Sequence, residues 1–361
     1  MIRGWCPTVH EPMQSGDGLL VRVKPRASRL SADDATFLAD AAARWGNGVI
    51  ELTSRANLQL RGFGQEGARA FATRAVERGL AAADPAAERR RNVILGSVVG
   101  ASSVALAFAL DDMLVEDSTL DFLPPKFGLA VDAADAPGDI RLSVVGDQVH
   151  VRASAGNGIV CNLNQAVAAT KRLLPPFACG RGRGRGSAYV RDHDGQPHAA
   201  ERAGPPRIPN PSPGPSRKGS GEALALWPAF GHMRPATLAA IADIARQHGN
   251  ATLHLAHTRA LILPGVTTSP SLPEGCVAEP NHPALAISAC IGRPGCASAS
   301  VETRADAATL ARAGITRRVH LSGCAKGCGR PANATTLIGE AGRYILNGVS
   351  VTVAEAAVAL R

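Results

Sequence analysis

Cys290, Cys296, Cys324 and Cys328 form the pattern C-x5-C, twenty-seven residues, then C-x3-C. Four thiolates are the number that a structural zinc ion or a cubane iron-sulfur cluster requires, and either one needs two loops brought together. The spacing separates them. Zinc knuckles use a tight gap in both pairs, whereas five residues intervene in the first pair here. Glycines at 292, 295, 323, 327 and 329 surround the thiols. Lacking a Cβ, they let main-chain N–H groups approach the sulfurs of a bulky inorganic core. A [4Fe-4S] cluster is the leading reading, with zinc and unligated thiols as the alternatives. Cys6, Cys161, Cys179 and Cys276 are scattered and read as small buried residues. Of these, only Cys6, with His10 nearby in GWCPTVHEP, has the setting of a ligand.

Thirty-nine Lys and Arg against thirty Asp and Glu leave a net charge of +9. The expected partner is therefore anionic: nucleic acid, acidic lipid, or a small molecule with several carboxylates or phosphates. Aromatics make up only 4%, which argues against a base-stacking platform and so against nucleic acid. The opening MIRGWCPTVHEP has no apolar run, so no signal peptide is expected and the expected address is cytoplasmic. In that reducing compartment clustered cysteines are ligands or redox groups rather than disulfides. Val93 to Leu110 is uncharged and follows Arg89, Arg90 and Arg91. Its glycines, serines and alanines dilute it, and it falls short of the roughly 20 residues of a membrane span. A buried strand followed by a helix start is expected there, with no membrane partner.

The elements that must position the thiols fall into two matching halves. In the first, Ser31 is an N-cap with Asp34 three residues on. Phe37, Leu38, Ala41, Ala42 and Trp45 follow at helical spacing, and Gly46 closes the helix. In the second, Pro235 opens a helix with Leu238, Ile241, Ala242 and Ala245 on one face and Gly249 at its end. Strands follow both. GNGVIELTSRANLQL reads against GNATLHLAHTRALIL, with Ser54-Arg55-Ala56 matching Thr258-Arg259-Ala260 after a one-residue slip. Gly180 to Gly221, rich in Gly, Pro and Arg and nearly without apolar residues, reads as a solvated linker rather than an RNA-binding tract. The pattern predicts a duplicated α+β chain with pseudo-twofold related domains.

The cysteine pattern and the duplication resemble the nitrite and sulfite reductase superfamily. The resemblance implies ferredoxin-like half domains over 1–85 and 222–280. It implies reductase-type α+β domains over 86–179 and 281–361, with 180–221 as linker. It also implies a [4Fe-4S] cluster on Cys290, Cys296, Cys324 and Cys328, beside a sirohaem in the reductases, with Cys328 in the bridging position. A cationic cradle belongs to the same resemblance. A T-x-R-x-x-x-Q stretch is matched by Thr53, Arg55 and Gln59, and an R-N-V stretch by Arg91, Asn92 and Val93. An L-P-x-K-F-K segment is matched by LPPKFG, which keeps Lys126 and has Gly128 in place of the second lysine. Loss of one charge-assisted contact, worth about 1.5 to 3 kcal/mol, favours a different chemistry.

One branch of the superfamily, precorrin-3B synthase, is similar in its short length and in four segments. These are Arg3 to Pro7, Pro12 to Gly18, Leu123 to Gly128, and Ser322 to Cys328. The resemblance implies that precorrin-3A is the substrate, hydroxylated with dioxygen at C20 with closure of a lactone from a ring A acetate. It also implies a mononuclear non-haem iron and an external electron donor, NAD(P)H through a reductase. Arg55, Arg91 and Lys126 would then bind the substrate's carboxylates, a role that suits guanidinium forks and a mobile lysine charge. Their alternative is ordinary solvated surface charge. His10, His232, His254, His257 and His320 are available to such an iron. His254 and His257 would lie on opposite faces of a strand, so no ligand is assigned, and no acid or base is named. The alternative functions are a sirohaem-dependent nitrite or sulfite reductase and an iron-sulfur electron-transfer protein.

Overall fold

The computed structural model describes residues 6–174 and 223–361, apart from positions 98, 155, 157, 268–270 and 332. The Gly180 to Gly221 segment and Cys179 lie outside the described residues. The chain divides into two compact units. One holds Cys6, residues 26–28 and residues 82–174; the other holds residues 7–25, 29–81 and 223–361.

Two antiparallel five-stranded sheets of the second unit correspond to the matching halves. One runs Met13–Ser15, Gly18–Val23, Leu58–Phe63, Ile50–Leu52, His232–Met233. The other runs Cys276–Val277, Ala223–Pro228, Leu261–Pro264, Thr252–Leu255, Arg29–Ser31. The last strand of each comes from the opposite half: His232 pairs with Glu51, and Leu253 with Leu30. Each half thus covers an edge of the other's sheet, where unpaired backbone would otherwise be exposed.

The paired helices behave as the sequence dictates. Ser31 Oγ accepts the Asp34 N–H at 3.0 Å and starts Ala32–Trp45. Pro235 sits at the first turn of Pro235–His248. The two helices pack together, burying Leu38, Ala41 and Ala42 on one and Leu238, Ile241 and Ala245 on the other.

The hairpins that follow match without a slip. Thr53 N–H donates to the Asn57 carbonyl and Ala56 N–H to that of Thr53; Ala256 donates to Ala260, and Arg259 to Ala256. Arg259 therefore corresponds to Ala56, not to Arg55. Both adopt left-handed backbone, with φ of +62° and +54°. Turn geometry fixes the register, and the Arg-Ala identity misleads because it crosses that register.

A second duplication underlies the remaining sheets. In the first unit, Val93–Leu95, Leu129–Val131 and Ile140–Val145 run parallel, and Gln148–Ala153 and Gly158–Asn162 continue antiparallel. In the second unit the same order is built from Ile287–Ala289, Val319–Ser322, Thr335–Glu340, Arg343–Leu346 and Val349–Val351. Each copy carries a helix after its first strand, Ala101–Glu116 and Thr303–Arg312 respectively. The fold is α+β and duplicated at both levels. Val93–Leu95 is the buried strand expected of the uncharged stretch, and no described helix is long and apolar enough to cross a membrane.

Candidate functional site

The cysteines follow the ends of parallel strands. Cys290 leaves Ile287–Ala289 with its N–H on the Leu321 carbonyl at 2.9 Å; Cys296 donates to the Gly292 carbonyl at 2.8 Å. Cys324 follows Val319–Ser322, and its carbonyl accepts from Ser322 Oγ at 2.7 Å. The two loops are tied by sulfur itself: Gly323 N–H donates to Cys290 Sγ at 3.0 Å. Burial raises the Cys328 thiol pKa, and the nearby Cys290, Cys324 and Cys296 raise it further. Cys290, Cys324 and Cys296 thus lie within electrostatic reach of Cys328, and a bound cation would reverse that opposition to ionisation.

The glycines divide by purpose. At Gly292, with φ +63°, a Cβ would lie 2.3 Å from Thr303 Oγ1, and at Gly323 it would lie 2.6 Å from the Ala299 Cβ. These two permit close approach. Gly327 and Gly329, with φ of +62° and +75°, serve the left-handed backbone of the second cysteine loop. The donor set fits an iron-sulfur cluster: four thiols, and a backbone N–H already directed at one sulfur. Among the described residues, no three His, Cys, Asp or Glu converge on a site for a single metal ion.

A charged network lies beside the thiols. Arg61 grips Asp17 with two bonds of 2.9 and 2.8 Å, and its third nitrogen reaches Glu51 Oε2 at 3.2 Å. Gln59 donates to the same Glu51 oxygen at 3.0 Å and accepts from Arg22. Arg304 Nη2 takes the other Glu51 oxygen at 3.3 Å. Burial weakens the Arg61 cation, but Glu51 and Asp17 outweigh it and raise its pKa. Burial, then the Arg304 charge, push His232 down to about 4, so it is neutral at pH 7. His320, whose Nδ1 lies 2.9 Å from Ser288 Oγ, is likewise pushed down to about 4, chiefly by burial.

The sequence-predicted cations have different surroundings. Arg55 follows Ile50–Leu52, its N–H donates to Thr53 Oγ1 at 3.2 Å, and its buried Nη1 has no hydrogen-bond partner among the described residues. Lys126 is exposed. Arg91 is only 2% exposed, with Nε on Glu88 Oε2 at 3.1 Å and Nη1 3.6 Å from Asp111, both carboxylates buried as well. Arg26 adds a 3.0 Å bond to Asp111. Arg55 belongs to the unit that carries the four cysteines, Arg91 and Lys126 to the other.

Other residues went unread in the sequence. Arg29 Nε and Arg304 Nε are buried without a hydrogen-bond partner among the described residues, and burial lowers the pKa of Arg29, Arg259 and Arg304. Only Arg259 had a signal, its place in the matched hairpins. Asp17 lies in the Pro12 to Gly18 segment and Glu51 on the strand of the first matched half, but neither was read as part of a site, and Arg304 sits in an ordinary polar string.

Comparison with known proteins follows the same lines. The nitrite/sulfite reductase ferredoxin-like half domain matches residues 11–74 and again 215–269. The structure of Mycobacterium tuberculosis NirA protein superposes with a TM-score of 0.58 at 16% identity, covering 92% of this chain and 73% of that one. That likeness is one of fold. A curated Sinorhizobium protein, precorrin-3B synthase, is 31% identical over 97% of this chain and 84% of its own length. Similarity at that level, running through both duplications, places the chain in the precorrin-3B synthase family.

Proposed function

We propose that the protein is an oxygen-dependent monooxygenase that converts precorrin-3A to precorrin-3B in cobalamin biosynthesis, hydroxylating C20 and closing a lactone from a ring A acetate. The observation that carries the reading is a single unit holding the four cysteines together with arginines whose buried N–H groups have no acceptor among the described residues. Kinship with the Sinorhizobium precorrin-3B synthase supports it. A buried guanidinium without an acceptor is costly unless an anion completes it. A macrocycle rich in acetate and propionate groups supplies such anions.

Arg55, Arg29 and Arg259 are assigned to substrate carboxylates, which their planar forks bind in two-point fashion. Lys126 adds an exposed point charge. Arg91 stays in the proposed binding set, with Glu88 and Asp111 already occupying part of its donor capacity. Cys290, Cys296, Cys324 and Cys328 would hold a [4Fe-4S] cluster, and the Gly323 N–H would steady the Cys290 sulfur. When bound, that cluster supplies one-electron transfer from an external donor, NAD(P)H through a reductase. No step is assigned to a mononuclear iron, for which the described residues gather no donor set. His232 and His320, pushed down to about 4, stay neutral at pH 7 and are weak bases there, so neither is assigned a proton-transfer role.

The test is anaerobic incubation with precorrin-3A and reductant, followed by isotopically labelled dioxygen. One labelled oxygen in the product is expected. Sirohaem absorption that survives desalting, with no labelled product, would instead favour a nitrite or sulfite reductase.

A further inference from the structure

A chain of contacts within one unit runs from one cysteine to another through the charged network. Thr303 Oγ1 donates to the Cys290 carbonyl at 2.8 Å, and the next residue, Arg304, reaches Glu51 at 3.3 Å. Glu51 holds Arg61, Arg61 grips Asp17 with two bonds, and the neighbouring Gly16 packs so tightly that a Cβ there would sit 2.5 Å from Cys296 Sγ. Arg304 and Arg61 balance Glu51 and Asp17, so the chain is neutral as a whole. It is not neutral locally. The end nearest Cys290 is the Arg304 cation, which feels the Cys290 charge and has a buried Nε without a hydrogen-bond partner among the described residues.

We infer that Arg304 sets the reduction potential of the group held by the four cysteines, and that Glu51 moderates Arg304. The inference rests on the cluster reading above. Reduction adds one negative charge to a cluster, and a half-buried cation adjoining the residue that bonds Cys290 stabilises that charge more than a fully solvated one would. Glu51 offsets part of the effect from farther away. The two residues should therefore act with opposite signs, which a purely structural role would not produce.

The full-length protein is purified anaerobically as wild type, Arg304→Gln, Arg304→Lys and Glu51→Gln. Iron and sulfide are counted, and the cluster is then titrated with dithionite under electron paramagnetic resonance. Arg304→Gln should move the reduced-to-oxidised ratio at fixed potential about tenfold toward oxidised, ~59 mV more negative for a one-electron couple. Glu51→Gln should move it the other way by less, and Arg304→Lys should stay near wild type. If Arg304→Gln loses its iron, the sign of the Glu51→Gln shift decides. Intact clusters with unmoved potentials, or shifts of one sign in both variants, would overturn the inference alone. Wild-type protein without iron and sulfide would overturn the cluster reading and this inference with it.

Discussion

The two reductase-type sheets share strand order and direction, yet the loops after their first two strands differ in chemistry. The N–H that follows the first strand bonds the carbonyl of the third residue of the second in both copies: Gly96 to Val131 at 2.9 Å, and Cys290 to Leu321 at 2.9 Å. Where the second copy has Cys290 and Cys324, the first has Gly96 and Ala134. A Cβ at Gly96 would sit 2.2 Å from the Asp132 carbonyl oxygen, so that loop has no room for a cysteine. The first copy instead buries Arg91 among Glu88 and Asp111. One scaffold, duplicated, gathers thiols in one copy and locks an ion cluster in the other. The thiols sit in the loops after the strands, whereas the ion cluster sits on the helices that flank the first strand of its copy.

The largest expected effect breaks the thiol copy. Cys324→Ser should lose iron, sulfide and turnover together, measured per chain and by product formation, while the ion-cluster copy stays folded. Next comes the reciprocal change. Asp111→Ala leaves Arg91 without part of its buried counter-charge and should cost about 3–5 kcal/mol in denaturant unfolding, with iron per folded chain unchanged.

Acid sharpens the contrast because the two copies respond with opposite signs. His320 has a folded pKa of about 4 against an ordinary 6.5. The unfolded chain thus binds the extra proton between those values, and stability is lost as pH falls from 6.5 to 4. Asp111 has its pKa raised, mainly by burial. From that group alone, stability is lost as pH rises above 3.8 and is regained as pH falls. Unfolding measured across that range should be less acid-sensitive in His320→Gln than in wild type, by up to a few kcal/mol at pH 4. Asp111→Asn should leave the His320 loss intact.

The smallest effects belong to the proposed carboxylate contacts. Arg55→Ala should raise the substrate concentration needed by roughly 10- to 100-fold, the worth of a charge-assisted bond of about 1.5 to 3 kcal/mol. Exposed Lys126→Ala should raise it only about two- to fivefold. Equal losses for the two in steady-state kinetics would contradict the ranking by burial.

What the sequence discloses follows from where the signal is local. The Ser31 cap, the Pro235 start and the apolar faces of both long helices are written within one turn, and all appear in the structure. The thiol set was legible because cysteine is rare and its spacing unusual. Strand exchange was not, since Arg29–Ser31 and His232–Met233 are too short to show a period and pair with strands about two hundred residues away. The run Arg89 to Arg91 misled for another reason. It reads as surface charge, while Arg90 and Arg91 are both 2% exposed, and their partners include Asp111 and Asp121, some twenty to thirty residues away, which the run itself does not show. Arg304 carries no local mark, because its partner Glu51 is more than two hundred residues away.

The most direct test of the account is the metal and sulfide content of the anaerobically purified chain, read together with its Mössbauer spectrum. The thiol copy should hold four irons and four inorganic sulfides in one cubane environment. A single zinc with no sulfide, or iron whose amount and spectrum are unchanged in Cys324→Ser, would contradict it.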